Sequence, residues 1–413
     1  MIDRALAEAV LRETIAACDP AARVRAALAA PAARARLSGR RRLAFAIGKA
    51  ALAMARGAGE VAVGIAVVPR GGAGALPAGW QAIEASHPVP DAASVAAGLA
   101  VEALVKTAGA GDVVIALMSG GASALVEVPR VPLDEFVATI RGVMAAGAAI
   151  DEINAVRGAL SAIKAGQLAL VSAAPVVTLA VSDVIGDPLA VIGSGPTIGP
   201  WTTAPGVAVD DGAAARRPRA RAVLERHGLA VPGLLGEPLG AGRVTRSDYA
   251  AVIAPMASAA QAAVAALAAR GVAARWRQAP IEGDVEAVAA TLAAEPGGPI
   301  VAWGEPTLHV PEVHGDGGRA QQLALALARR LRGTPRTAFV VGTDGVDGPP
   351  PATRPAPAGA WVDGTTWDAV AAAGHDPAAA LATCDAGTAL ATVGALVVTG
   401  ATGINHADLV IIG

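Results

Sequence analysis

Short apolar runs of strand length recur along this chain, each followed by a turn and then an alanine-rich stretch of helical length. They are Leu43–Ile47, Val61–Val68, Asp112–Met118, Val176–Val181, Ala250–Ala254, Ile300–Trp303, Thr337–Val341 and Gly394–Thr399. Such alternation is the signature of repeated β-α-β units, and near-continuous apolar strands belong to mainly parallel sheets with helices on both faces. The expected class is therefore α/β. Pro132–Gly147, Asn154–Leu170, Ala257–Arg270 and Gly318–Arg332 read as helices, each with Gly, Pro or basic residues near its end.

A chain of 413 residues has room for two or three domains of ~100–200 residues each. Between Pro200 and Gly242 the periodicity fades, with Pro205, Pro218, Pro232 and Pro238 and an arginine-rich patch at Arg216–Arg221. This stretch reads as a connecting region, which divides the chain into domains at residues 1–240 and 241–413. A second proline-rich piece, Pro349–Pro357, reads as a loop, since proline breaks helices and central strands.

Hydrophobic residues make up 54% of the chain and aromatics only 2%, so the cores must be built from Ala, Val, Leu and Ile. The formal charge of −2, with no basic helix interleaved with aromatics, gives no reason to expect nucleic acid as a partner. Cys18 and Cys384 are the only cysteines and lie far apart in sequence, which gives neither a disulfide framework nor a paired zinc motif, and a reducing compartment is expected. The start of the chain has no apolar signal core, and Tyr249–Ala269 reads as a strand running into a helix, not a membrane span. The expectation is a cytoplasmic protein without a membrane partner.

Polar turns at strand ends are the candidate sites, because ligands of open α/β folds bind outside the carboxyl ends of the strands. Ser182-Asp183-Val184-Ile185-Gly186-Asp187 follows an apolar run and leads to Gly193-Ser194-Gly195-Pro196-Thr197. Ser119-Gly120-Gly121-Ala122-Ser123 follows Asp112–Met118 and offers backbone N–H groups and two hydroxyls to an anion, or serves only as a tight turn. Gly48-Lys49-Ala50 places a lysine among small and apolar neighbours. Asn154, Arg157, Ser161 and Lys164 fall at helical spacing on one face, for an anionic substrate or for solvent. Glu305 follows another strand. Arg319 opens a helix, where a cation is unfavourable unless an anion lies nearby. Asp344 and Asp347 share a further turn, and Asn405 lies in the last one. His87 lacks a second histidine at ligand spacing and reads as a structural, hydrogen-bonded imidazole. No phosphate loop of the Walker type, dinucleotide fingerprint, nucleophile elbow or EF-hand is present.

In their order, these motifs resemble the glycerate 2-kinase family, with an N-terminal DUF4147 domain and a C-terminal MOFRL domain; some members carry the label hydroxypyruvate reductase. The resemblance rests on Gly48-Lys49-Ala50, His87-Pro88-Val89-Pro90-Asp91, the Ser119–Ser123 turn, Asn154 with Arg157 and Lys164, Ser182–Asp187, Gly195-Pro196-Thr197, Gly317-Gly318-Arg319 and Gly342–Gly348. It implies two α/β domains with the active site in the cleft between them, and transfer of the γ-phosphoryl group of ATP, with Mg2+, to the 2-hydroxyl of D-glycerate. It further implies that Lys49 and Arg319 stabilise the transition state and that Asp183 or Asp187 orients or deprotonates the hydroxyl. Ser119, Gly120, Gly121, Ser123, Asn154, Arg157, Lys164, Ser194, Gly195, Glu305, Asp344, Asp347 and Asn405 would contact substrate or phosphate. A small-molecule substrate and a monomer or homodimer go with this reading.

The chain departs from the family pattern in its C-terminal half. Ala320 and Gln322 replace Asn and Glu, the stretch after Gly348 becomes the proline-rich loop with loss of a carboxylate, and Ala401, Ile404 and His406 alter the last turn. A divergent paralogue that binds a small 2-hydroxy acid with little or changed catalysis is one alternative. A nicotinamide-dependent hydroxypyruvate reductase is the other, and the missing dinucleotide fingerprint speaks against it.

Overall fold

The computed structural model of the chain describes residues 2–204, 216–236, 246–349 and 354–413. Parts of the expected connecting region, with Pro205 and Pro238, and residues 350–353 of the proline-rich loop lie outside the described residues. Two compact units emerge: Pro20–Ala254, and Met1–Asp19 together with Pro255–Gly413.

The unit Pro20–Ala254 is built on seven strands: β1 (Arg41–Ile47), β2 (Val63–Pro69), β3 (Trp80–Ala85), β4 (Asp112–Met118), β5 (Val176–Val181), β6 (Thr202–Thr203) and β7 (Asp248–Ala254). Their order is β3-β2-β1-β4-β5-β7-β6, and every pairing is parallel. Apolar side chains leave both faces, Leu43, Phe45 and Ile47 into one core and Ala44 and Ala46 into the other, as expected of strands covered on two sides. β1 and β4 are neighbours in register, Ile47 opposite Met118, although two strands separate them in sequence. The strand order therefore reverses between them, and the turns after Ile47 and Met118 flank a topological switch point.

Two expectations are corrected in this unit. The expected helix Asn154–Leu170 is Ile150–Leu160, then an extended Ser161 and a turn, then the short helix Gln167–Leu170. Ala165 and Gly166 both take positive φ, a conformation no helix contains, so Ser161 and Lys164 do not share a helical face with Asn154 and Arg157. The arginine-rich patch, expected within a connector, is the helix Arg216–Arg226. Its Ala220, Val223 and Leu224, at helical spacing, fill a small core with Val156 and Leu160.

The other unit holds β8 (Arg275–Trp276), β9 (Ile300–Gly304), β10 (Thr337–Gly342), β11 (Gly359–Asp363), β12 (Leu396–Val397) and β13 (Asp408–Ile412), in the order β12-β11-β10-β13-β9-β8. It is α/β, but its sheet is not the mainly parallel one expected: among the described residues β8 pairs with β9 in parallel, and the remaining strand pairs are antiparallel. β13 returns from the chain end to insert between β10 and β9. Both faces of this sheet are covered, so its strands are continuously apolar and their direction cannot be read from pattern. The helix Arg319–Leu331 crosses one face and is buried nearly all round.

The grouping of residues also differs from the expected division at 240/241. β7 pairs with β5 and stays with the first sheet. The helix Arg4–Ala17, capped by Asp3, buries Ala7, Val10 and Leu11 against Ala260, Ala263 and Leu267 of the helix Ser258–Ala268.

Candidate active site

In the unit Pro20–Ala254, two turns lock together at the switch point. The Lys49 N–H donates to the Gly120 carbonyl at 2.9 Å, the Ala50 N–H donates to Ser119 Oγ at 3.1 Å, and the Ser119 N–H donates to the Ile47 carbonyl at 2.9 Å. Gly48 is required there: its φ is +127°, and a Cβ would stand 2.1 Å from Ser119 Oγ. The Lys49 side chain is exposed. His87, set aside from chemistry in the sequence, sits against this turn, 3.0 Å from where a Cβ on Gly121 would lie. Burial of part of the ring, and then the nearby Lys49 ammonium, holds its imidazole below the ordinary pKa.

A second group adjoins the far end of the Ser119–Ser123 turn. Ser123 Oγ and Ser194 Oγ lie 2.9 Å apart, Ser194 Oγ donates to Asn154 Oδ1 at 3.1 Å, and Arg157 reaches Asn154 Oδ1 at 3.2 Å and Ser194 Oγ at 3.3 Å. Gly193, Ser194 and Gly195 all have positive φ, which costs energy at the serine and turns its backbone sharply. The Nδ2 of Asn154 is buried with no hydrogen-bond partner. Lys164 is completely buried, and burial lowers its ammonium to about 8 against the opposing pull of Glu127. Glu127, absent from the expected site, is completely buried too, and burial pushes its carboxyl above the ordinary range. A glutamate in the apolar run Leu125-Val126-Glu127-Val128 was the signal for it.

The loop with Asp183 and Asp187 leaves β5 beside β4, and both residues are half-buried. Asp187 adopts a φ of +54°, and its N–H donates to the Val184 carbonyl at 3.0 Å.

In the other unit, Arg319 is the first residue of its helix, and the anions that its position calls for are protein carboxylates. Its Nε donates to Asp408 Oδ2 at 2.7 Å, and its terminal nitrogen reaches Asp408 Oδ1 at 3.3 Å and Glu305 Oε1 at 3.4 Å. Asp347 also serves this helix start, accepting from the N–H of Ala320 at 2.9 Å and of Gln321 at 2.8 Å. That is N-terminal capping by a side chain from another turn. Burial raises the Asp408 carboxyl to about 7 in spite of Arg319, and raises Asp347 as well. The turns bearing Asp344 and Asn405 are stitched to each other: Thr402 N–H donates to the Asp344 carbonyl at 3.1 Å, and His406 N–H donates to Thr343 Oγ1 at 2.7 Å.

Of the expected residues, the structure thus gathers Lys49 with Ser119, Gly120 and Gly121, gathers Ser123 with Asn154, Arg157, Ser194 and Lys164, and gathers Arg319 with Glu305 and Asp347. Asp408 is the additional member of the last group. The departures at Ala320 and Gln322 do not open that group: Ala320 lies in the apolar core, and Gln322 is buried with its Nε2 on the Leu381 carbonyl at 2.6 Å.

Glycine-rich turns at the switch point of one parallel sheet, joined in the same chain to an α/β unit whose helix start carries a carboxylate-held arginine, make this a two-unit α/β protein with polar turns at its strand ends. Residues 6–225 match the domain of unknown function DUF4147, and residues 299–408 match the MOFRL family. The chain belongs to the glycerate 2-kinase family. A D-glycerate 2-kinase of Thermotoga maritima is 34% identical over 378 residues, covering 89% of each chain. An Agrobacterium vitis protein that carries the hydroxypyruvate reductase label is 36% identical over 358 residues, 81% of this chain and 88% of the other. The crystal structure of a glycerate kinase from Thermotoga maritima superposes with a TM-score of 0.86 at 30% identity over 99% of each chain. Among the described residues, no helix is long and apolar enough to cross a membrane.

Proposed function

We propose that this chain transfers the γ-phosphoryl group of ATP to the 2-hydroxyl of D-glycerate, giving 2-phosphoglycerate. The observation that carries the reading is the pair of interlocked turns at the switch point, which presents Lys49 and the N–H-rich Ser119–Ser123 segment in a chain alike over its whole length to a glycerate kinase. Phosphoryl transfer asks little covalent chemistry of a protein; it needs cations around the transferring group and donors around phosphates. Lys49 and Arg319 supply the charge. Asp183 or Asp187 orients or deprotonates the acceptor hydroxyl.

The donor set fits an anionic nucleotide and acceptor: Asn154 leaves a buried N–H donor unused, and the turns are rich in backbone N–H groups. When bound with the nucleotide, Mg2+ supplies neutralisation of phosphate charge. It needs only one or two carboxylates besides phosphate oxygens and water, and whichever of Asp183 and Asp187 does not serve the hydroxyl would provide one. Among the described residues no cluster of three or more His, Cys, Asp or Glu forms a protein-only metal site. A cytoplasmic location goes with this reading.

The test is ADP release with Mg-ATP and a panel of 2-hydroxy acids led by D-glycerate, with the phosphorylated position read by NMR. ADP formed only with D-glycerate and a 2-phosphorylated product is the expected result. Silence across the panel from folded protein overturns it in favour of a non-catalytic paralogue, and a change in nicotinamide absorbance with hydroxypyruvate would do so in favour of a reductase.

A further inference from the structure

Beneath the Ser123–Ser194 pair lies a buried charge system that the sequence motifs leave incomplete. Glu127 is held by its backbone against the helix Ala92–Lys106: its N–H donates to the Ser94 carbonyl at 3.1 Å, and its carbonyl packs where a Cβ on Gly98 would stand. Its Oε1 accepts from the Val128 N–H at 2.9 Å and from the Ser161 hydroxyl, while Oε2 is buried with no hydrogen-bond partner. The Lys164 ammonium donates to the carbonyls of Ala122 at 3.4 Å and Gly193 at 3.5 Å. These carbonyls immediately precede Ser123 and Ser194, so one buried cation tethers the two backbones whose hydroxyls meet at 2.9 Å.

The charge balance has a definite sign. The charged groups that act on Lys164 are Glu127 and Arg157, and those that act on Glu127 are Lys164 and Arg157. One proton shared between Glu127 and Lys164 leaves that pair neutral, or as a zwitterion of no net charge, and Arg157 contributes +1 in either case. Buried charge left uncompensated is costly, so such a cluster favours a ligand of opposite sign.

We propose that Glu127 is a positioning residue for a carboxylate subsite: with Lys164 it sets the Ser123 and Ser194 backbones in place and leaves one net positive charge. Arg157 and Asn154 Nδ2 then receive the carboxylate of the 2-hydroxy acid, with the two hydroxyls holding Asn154 in place. This rests on the kinase reading for the identity of the acid. The subsite selects a monoanion over a neutral polyol, so glycerol is rejected. Its affinity falls as Lys164 loses its proton near pH 8, when the cluster becomes neutral.

The experiment measures the KM of D-glycerate and of ATP by ADP release, and D-glycerate binding by calorimetry, on the full chain from about pH 6.5 to about 9.5. Wild type, Glu127→Gln and Lys164→Met are compared, with circular dichroism to establish folding. In wild type the KM of D-glycerate should rise as pH passes about 8 while that of ATP does not. Glu127→Gln adds a net positive charge to the cluster, so a KM of D-glycerate raised by about tenfold or more would report the lost placement of the Ser123 and Ser194 backbones and not a loss of charge; the limb should move to lower pH, since the carboxylate that holds the lysine protonated is gone. Lys164→Met should abolish the limb. A flat wild-type profile, or wild-type KM values in both variants, overturns the proposal; if Glu127→Gln does not fold, the wild-type profile and Lys164→Met decide. ADP release with a flat profile removes the subsite and leaves the kinase. Glycerate binding that weakens above pH 8 without ADP release removes the kinase and leaves the subsite.

Discussion

Arg319 and Asp408 form a two-point contact across β13 and a helix start, with Nε to Oδ2 at 2.7 Å and the carboxylate only 3% exposed. Burial raises the Asp408 carboxyl to about 7, well above its ordinary value. The folded protein therefore keeps a proton that the unfolded chain has released, and stability must fall with rising pH in that window. The Asp408 contribution is full below about pH 4 and lost as pH approaches about 7. Urea melts across this range should show the decline, and Asp408→Asn should flatten it. An unchanged slope in the variant would assign the decline to another group.

Ionised Asp408 also pins Arg319, so turnover should rise through about pH 7 on its acid side. Arg319→Ala and Lys49→Ala should each lower kcat by about a hundredfold or more, as the loss of one transition-state cation does. Lys49 is exposed, so its variant should keep wild-type stability; Arg319→Ala leaves the buried Asp408 carboxyl without its cation, so its kcat is read where circular dichroism shows the variant folded. Full activity in either variant removes that residue from the mechanism.

Gly48 couples the Lys49 turn to the Ser119 turn sterically. Gly48→Ala would drive a Cβ to within 2.6 Å of the Ser119 carbonyl oxygen as well as onto its hydroxyl, at a cost of about 3 kcal/mol or more. Both a lower Tm and a higher KM for ATP are expected. A variant of wild-type stability and kinetics would show that the two turns move independently.

At the positions where this chain departs from the family pattern, restoration should harm. Gln322→Glu places a carboxylate against the Leu381 carbonyl that the present amide donates to, at about 2–3 kcal/mol. Ala320→Asn forces a polar side chain into an apolar core. Thermal melts should show both losses, and ADP release should show no gain. A rise in turnover from the double variant would mean instead that the natural chain carries a damaged site.

Alternating apolar runs and alanine-rich segments determined the α/β class and five of the seven strands of the first sheet, because a strand buried on both faces must be apolar throughout and each crossover needs a helix. The positions of the turns after β1, β4 and β5 were legible for a related reason: glycine and short polar residues mark where a buried strand ends. Helix ends and strand direction were not legible in the same way. The helix after Ile150 stops at Leu160, where Ser161 turns extended, and Ala165 and Gly166 then take positive φ; nothing in the local spacing of Asn154, Arg157, Ser161 and Lys164 forbids its continuation. β13 looks like any buried strand, yet its antiparallel place between β10 and β9 brings Asp408 to Arg319 from 89 residues away. Glu127 likewise reads as an interruption in an apolar run until packing buries it near Lys164. Periodicity records which faces are dry. Which charges meet inside is decided by tertiary contact, since an ion's partner and its cost of burial depend on distance in space and not along the chain.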